Sequence, residues 1–196
     1  IEEDKEQAVH WWKLAAEQGV SLAQYNLGVS YANGEGVQED KEQAVHWWKL
    51  AAEQGHIDAQ YNLGVAYVFG EGVEKDLEEA IYWFNKSASL NNVLAEYKLG
   101  YIYDNGLGVK KDAEKAYRYY LSAGQKGNAD AQYNLGIFYR LGIGINQDFQ
   151  ESLNWYKLAS KQGHTAAQNN LSLLYEEGIA TRQDILDAIK YYRCGN

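Results

Sequence analysis

Apolar residues recur along the chain at intervals of three and four, the spacing of a helix face rather than of a strand. In residues 57–70, IDAQYNLGVAYVFG, the side chains of Ala59, Leu63, Ala66 and Tyr67 fall on one face. Residues 76–91, DLEEAIYWFNKSASLN, repeat the pattern with Ala80, Trp83, Phe84 and Ala88. These stretches predict two helices, A and B. A short turn with two glycines joins them, and its copies carry Gly34/Gly36, Gly70/Gly72, Gly106/Gly108 and Gly142/Gly144. The first glycine of each pair stands where a helix ends in the left-handed conformation, and the second helps reverse the chain, which predicts an antiparallel helix pair.

The pattern is periodic over the whole chain. Asp4, Asp40, Asp76, Asp112, Asp148 and Asp184 stand 36 residues apart, each just before a predicted helix B. Gln7, Gln43, Glu79 and Glu151 follow three residues later in four copies, which predicts N-caps with a reciprocal capping box. Helix B is predicted to close at Gly19, Gly55, Gly127 and Gly163, with Asn91 standing in for glycine in the third copy. Small residues recur at Gly28, Gly64, Gly100 and Gly136 in helix A and at Ala8, Ala44, Ala80 and Ala116 in helix B. They let the helix axes approach, and Trp11, Trp47, Trp83, Tyr119, Trp155 and Tyr191 are expected to fill the space beyond them.

The succession AQYNLG, Tyr, Gly, Gly-Val, Asp, Ala, Trp, Ala-Ala and Gly resembles the Sel-one-like repeat family, relatives of tetratricopeptide repeats, over essentially the entire chain. The resemblance implies an all-α fold, a right-handed α/α superhelix of helix-turn-helix repeats. It implies one solenoid over residues 1–196, with a leading B helix and five A–B pairs, about eleven helices in all. Both ends read as cuts through a longer array. Residues 3–19 and 39–55 are identical, as recent duplication or engineering would leave them.

Charge narrows the partner. A net charge of -9 and a pI near 4.9 oppose sequence-independent binding to nucleic acid, which needs cations against phosphates, and disfavour an anionic membrane surface. A neutral or basic protein fits better. The apolar residues are interrupted far short of the roughly 20 consecutive positions that a membrane helix needs, so direct insertion is not expected. Cys194 is the only cysteine, so no internal disulfide is possible. The compartment stays open between cytoplasmic and bacterial periplasmic or secreted.

Motifs for chemistry are missing. The chain has no HExxH, GxSxG, CxxC or Walker-type loop, and His10, His46, His56 and His164 lack the spacing of a metal clamp. No catalytic residue, metal or cofactor is expected. Some cysteine-rich members of the resembled family are associated with penicillin binding or β-lactamase activity, but the Ser-x-x-Lys that such an active site needs is absent.

The resemblance also implies that A helices line a concave groove. Residues 36 apart then form ladders along it: Tyr25, Tyr61, Tyr97, Tyr133 and Asn169, then Val29, Val65, Tyr101, Ile137 and Leu173. One turn further stand Asn33, Val68/Phe69, Asp104/Asn105, Arg140/Leu141 and Glu176/Glu177. The tyrosine ladder reads as packing between neighbouring helices or as a binding surface. The last positions change chemistry from copy to copy, as a surface shaped for a non-repetitive ligand would. With Asp58 and Asp130 the groove is aromatic at its centre and acidic at its rim, suited to a peptide with apolar anchors and basic flanks. The expected role is a protein-interaction scaffold or adaptor binding through Tyr25, Tyr61, Val65, Phe69, Tyr97, Tyr101, Asp104, Tyr133, Ile137, Arg140 and Glu177. A regulatory or inhibitory arm of a cell-wall enzyme is the alternative, and a β-lactamase-like hydrolase a more distant one. The leading B helix, with Trp11 and Trp12 and no helix A before it, adds an expectation of self-association.

Overall fold

The computed structural model describes residues 2–179 and Thr181, with side chains from Asp4 onward. Among the described residues there are ten helices and no strand. The A helices are α2 (Ser21–Asn33), α4 (Ile57–Phe69), α6 (Val93–Asn105), α8 (Ala129–Leu141) and α10 (Thr165–Glu176). The B helices are α1 (Glu2–Glu17), α3 (Lys41–Glu53), α5 (Leu77–Ser89), α7 (Ala113–Gln125) and α9 (Phe149–Lys161). The expected last B helix, with Asp184 and Tyr191, lies outside the described residues. The chain divides into two compact units, Ile1–Ala95 and Glu96–Asn196, described separately below as unit 1 and unit 2.

Hydrogen bonds at both ends of a pair fix its direction. In unit 1, Ser87 Oγ near the end of α5 donates to the Ile57 carbonyl at the start of α4, 2.9 Å away. The Asp76 N–H, just before α5, donates to the Tyr67 carbonyl near the end of α4 at 3.1 Å. Start meets end twice, so α4 and α5 are antiparallel. The same tyrosine-to-aspartate bond closes Tyr31/Asp40 in unit 1 and Tyr103/Asp112 and Tyr139/Asp148 in unit 2, each at 2.9 Å.

Those backbone bonds revise the capping box. Each aspartate carboxylate does cap its helix: Asp40 Oδ1 accepts from Gln43 N–H at 2.9 Å, Asp76 from Glu78 and Glu79, Asp112 from Lys115, and Asp148 from Gln150 and Glu151. The aspartate's own N–H is already spent on the tyrosine carbonyl, so the reciprocal half of the box has no donor to satisfy. Glu79 accepts from Trp83 Nε1 at 3.2 Å instead. Asp4 is a further correction, because α1 begins at Glu2 and places Asp4 inside its first turn rather than at a cap.

Each pair is sealed by a glycine against a ring. A Cβ at Gly64 would come within 2.7 Å of the Phe84 ring, and at Gly100 within 2.6 Å of Tyr120. Gly28 lies against Trp48 and Gly136 against Tyr156 in the same way. The ring beneath the glycine therefore comes from the residue after the one expected from the sequence. Trp47 and Tyr119 instead sit half-buried toward the outer side of their pairs, and Trp11 is 67% exposed. The second turn glycine also does more than turn the chain. A Cβ at Gly36 would strike the Lys5 carbonyl, and one at Gly72 the Lys41 carbonyl, so it admits the start of the preceding B helix.

Successive pairs are tied by a buried glutamine that the sequence reading passed over. Gln24, Gln60 and Gln132 each donate Nε2 to a carbonyl near the end of the preceding B helix, that of Ala16, Ala52 and Gly124 respectively, at 3.2, 3.1 and 2.9 Å. Gln54 and Gln162 in turn donate to the Gln24 and Gln132 side-chain oxygens at 2.7 and 2.8 Å. The register position opposite Gln60 is Leu90, and Gln60 Oε1 is buried without a partner. In the next copy Glu96 replaces the glutamine and pairs with Lys126 at 2.7 Å.

Candidate protein-binding surface

In unit 1 the facing sides of α2 and α4 enclose an open cleft of about 320 Å³, lined by Tyr25, Val29, Trp48 and Val65 with Asn62 and Glu71 among its polar atoms. Tyr25 and Val65 were expected here. Asn62 and Glu71 were not; the signal for Glu71 is that the residue between the turn glycines varies as Glu35, Glu71, Leu107 and Ile143 within a fixed frame. Tyr25 is half-buried and stacks on His56 with centroids 4.5 Å apart, while Tyr61 tilts onto Phe84 at 5.8 Å. Burial raises the pKa of both tyrosines, so they stay neutral hydroxyls at physiological pH. Phe69, one turn beyond Val65 at the end of α4, is 65% exposed.

In unit 2, Tyr97 lies 6.0 Å from Tyr120, and Tyr133 sits between Tyr156 at 5.9 Å and His164 at 4.5 Å. The tyrosine ladder is thus held by stacked and tilted rings of neighbouring elements. His56 and His164 owe their place to capping: each accepts a backbone N–H at Nδ1, from Ala59 at 3.3 Å and Ala167 at 3.2 Å. Tyr156 is fully buried and its hydroxyl accepts from Asn170 at 3.0 Å; burial pushes its pKa up to about 12 although that bond acts the other way. Ile137 packs on the core of α9 and α10, whereas Tyr101 on α6 is 45% exposed.

The rim charges are largely engaged within the fold. Arg140 forms an ion pair with Glu177, Asp104 lies 3.6 Å from Lys111, and Asp130 lies 3.3 Å from His164 Nε2. Asp58 accepts from Asn92 at 3.5 Å. The structure therefore places Asp104, Arg140 and Glu177 at the ends of A helices as expected, but as parts of intrachain pairs. Charge is also less even than the sequence suggested. Residues 1–95 hold 16 carboxylates against 6 lysines, and residues 96–196 hold 11 against 12 lysines and arginines.

No group of acids, histidines and cysteines among the described residues is arranged to hold a metal ion, and no described helix is long and apolar enough to cross a membrane. What the A-helix faces offer is shape and apolar area: an open cleft, exposed rings at α4 and α6, and polar groups at the edges.

The Sel1 repeat family profile matches residues 1–20, 21–56, 57–92, 93–128, 129–164 and 165–195, and the chain belongs to this family. Its fold is the all-α Sel1 repeat solenoid. It is similar to a protective antigen of uropathogenic Escherichia coli with an SLR fold, at 39% identity and a TM-score of 0.89, over 96% of this chain. The chain spans 40% of the length of that protein. A Sel1 repeat protein from Oxalobacter formigenes matches at 36% identity and a TM-score of 0.85, over 98% of this chain and 80% of its own. An immunity protein of Pseudomonas aeruginosa, at 23% identity and a TM-score of 0.53 over 91% of this chain and 65% of its own, shares the fold alone. No curated protein matches the chain in sequence. Repeats of this family generally mediate protein–protein interaction.

Proposed function

We propose that this Sel1 repeat chain is a non-catalytic scaffold, with residues 1–196 forming one repeat domain whose A-helix faces bind a segment of a partner protein. The observation that carries the reading is the cleft between α2 and α4, where Tyr25, Val29 and Val65 give an apolar floor and Asn62 and Glu71 give hydrogen-bonding groups at its edge. Such a mixture of apolar floor and few polar groups suits a peptide that buries one or two side chains and orients its backbone.

Residue roles follow from exposure. Phe69 and Tyr101 are the candidate anchors, since both are exposed and neither is needed to seal a helix pair. Val65 and Ile137 supply apolar surface beside them. Tyr25, Tyr61, Tyr97 and Tyr133 contribute ring edges while their faces pack inside the fold. Asp104, Arg140 and Glu177 set the polar boundary, each in a pair with one half-buried and one exposed member whose charges a ligand can meet from the solvent side. The partner segment carries apolar anchors and, for the acidic surface of unit 1, basic flanks. The test is calorimetry on a partner isolated with the chain: Phe69→Ala and Tyr101→Ala should weaken binding at unchanged melting temperature. Full affinity in both variants, with loss on Lys86→Glu in α5, would assign the B-helix side instead.

A further inference from the structure

On the outer side of unit 2 the hairpin of α6 and α7 departs from its sister copies at one register. At the register of a tyrosine near the end of helix A and an aromatic residue of helix B, the sister copies carry Tyr31 and Trp47, Tyr67 and Trp83, and Tyr139 and Trp155. Here Tyr103 faces Tyr119, and the two rings stack with centroids 5.8 Å apart and planes 6° from parallel. The residue one turn on is Ser122, where the sister copies carry Leu50, Lys86 and Leu158. Two reductions in side-chain size at neighbouring positions open space beside the ring stack. Two adjoining clefts occupy this side, about 530 Å³ lined by Tyr103, Tyr119 and Ser122 and about 650 Å³ lined by Tyr103 and the turn from Val109 onward; Tyr103 and Lys115 belong to both.

The same register is also more basic than in the sister copies. Lys115 stands where the sister copies have Gln43, Glu79 and Glu151, and Arg118 where they have His46, Tyr82 and Asn154. Lys115 Nζ lies 5.0 Å from the centre of the Tyr103 ring, and Lys110 and Lys111 line the second cleft. Of the acids nearby, the buried Glu96 on the wall of the first cleft is engaged by Lys126 at 2.7 Å and by the Ser122 hydroxyl at 2.9 Å, and the others are held at long range: Arg118 to Glu114 at 3.7 Å, Lys115 to Asp112 at 3.7 Å and Lys111 to Asp104 at 3.6 Å. Pairs this long and this exposed contribute little, so an incoming carboxylate exchanges with them at small cost.

We infer that this double cleft is a second interaction surface, which takes an acidic segment of a protein partner with one aromatic or aliphatic anchor. The anchor sits beside the stacked Tyr103 and Tyr119 rings, and the segment's carboxylates meet Lys111, Lys115 and Arg118. Cations interleaved with aromatics suit such a ligand because the ring faces hold the cations in place and add apolar area. The surface lies on the B-helix side and prefers a ligand charge opposite to the basic flanks proposed for the segment bound to unit 1, so one chain can engage segments of both signs.

The experiment is fluorescence anisotropy with a labelled glutamate-rich peptide carrying one tryptophan, and with its counterpart in which glutamine replaces glutamate. Lys115→Glu and Arg118→Glu are expected to weaken binding of the first peptide by about tenfold each, with the second peptide binding weakly throughout. Tyr119→Trp and Ser122→Leu, which restore the side chains of the sister hairpins, are expected to abolish binding at an unchanged helical spectrum. Lys49→Glu in α3 makes the same change in net charge away from the cleft and should alter affinity less than about twofold. Equal loss in Lys49→Glu and Lys115→Glu, or full binding in both cleft-filling variants, would overturn the site. A chain that self-associates and is dissociated by the peptide would overturn the partner assignment in favour of a second copy.

Discussion

Gly64 in unit 1 lies against Phe84, and Gly136 in unit 2 lies against Tyr156, with the same aspartate cap before each B helix and the same tyrosine carbonyl receiving that aspartate's N–H. Yet residues 1–95 carry 16 carboxylates and 6 lysines, where residues 96–196 carry 11 against 12 lysines and arginines. The interior register of the two units is one design, while the solvent register has diverged in sign. The helix pair tolerates this because its seam is built from uncharged groups at fixed positions, and exposed charges contribute little to stability. Two surfaces of different preference can therefore sit on a common frame, and the comparison can be broken at the seam or sharpened at the surface.

The largest effect is expected at the seam. Phe84→Ala and Tyr156→Ala each remove a fully buried ring from beneath a glycine, and each should cost about 3–5 kcal/mol in denaturant unfolding. Near-equal losses support a shared seam. A loss confined to one variant would show that the two units hold themselves together by different means.

Next comes the surface. Phe69→Ala should leave unfolding unchanged and weaken the partner proposed for unit 1 by on the order of 2 kcal/mol, because a ring 65% exposed in the free chain contributes to stability little and to an interface much. A drop in melting temperature would place Phe69 with the seam and erase the contrast.

These two classes of residue were not equally legible in the sequence. Caps and left-handed glycines were, since Asp76 and Gly70 act through backbone geometry that a fixed spacing reveals. The ring under the glycine was placed one residue early. Trp47 and Trp48 are adjacent tryptophans, and helical periodicity alone cannot say which of two neighbouring aromatic residues turns inward. The buried Gln24 and Gln132 were missed because a polar residue inside is legible only once the carbonyl it satisfies is known. The cleft at Tyr103 is not legible along the A helices, because the positions that shape it, Lys115, Arg118 and Ser122, vary on helix B.

A smaller gain is expected from repairing unit 1 to the pattern of unit 2. In unit 2 Gln132 Oε1 accepts from Gln162, whereas in unit 1 Gln60 Oε1 has no partner because the corresponding position is Leu90. Leu90 is 43% exposed, so its replacement sacrifices little burial. Leu90→Gln should stabilise by about 0.5–1.5 kcal/mol, the net worth of one hydrogen bond. The same substitution in a chain carrying Gln60→Leu should give nothing. A gain that persists there would mean that helix propensity, not the polar pair, is responsible.

The smallest effect concerns the two capping histidines. His56 in unit 1 has Leu22 at the register where His164 in unit 2 has Asp130, 3.3 Å from its Nε2. Burial holds the pKa of His56 below its ordinary value of 6.5, and the charge of Asp58 opposes that shift with the smaller effect. The neutral ring is also the one that caps α4, because a protonated Nδ1 cannot accept the Ala59 N–H. As pH falls, the unfolded chain binds this proton before the folded one does. The contribution of His56 is therefore fully present above 6.5 and is lost as pH drops below that value toward the folded pKa. Asparagine occupies the same cap at Asn92 and Asn128 and accepts the same bond without titrating, at 3.0 and 2.8 Å. His56→Asn should leave stability at neutral pH nearly unchanged and flatten the part of the acid decline that begins near 6.5, read as melting temperature against pH. An unaltered profile in that variant would remove His56 from the pH response.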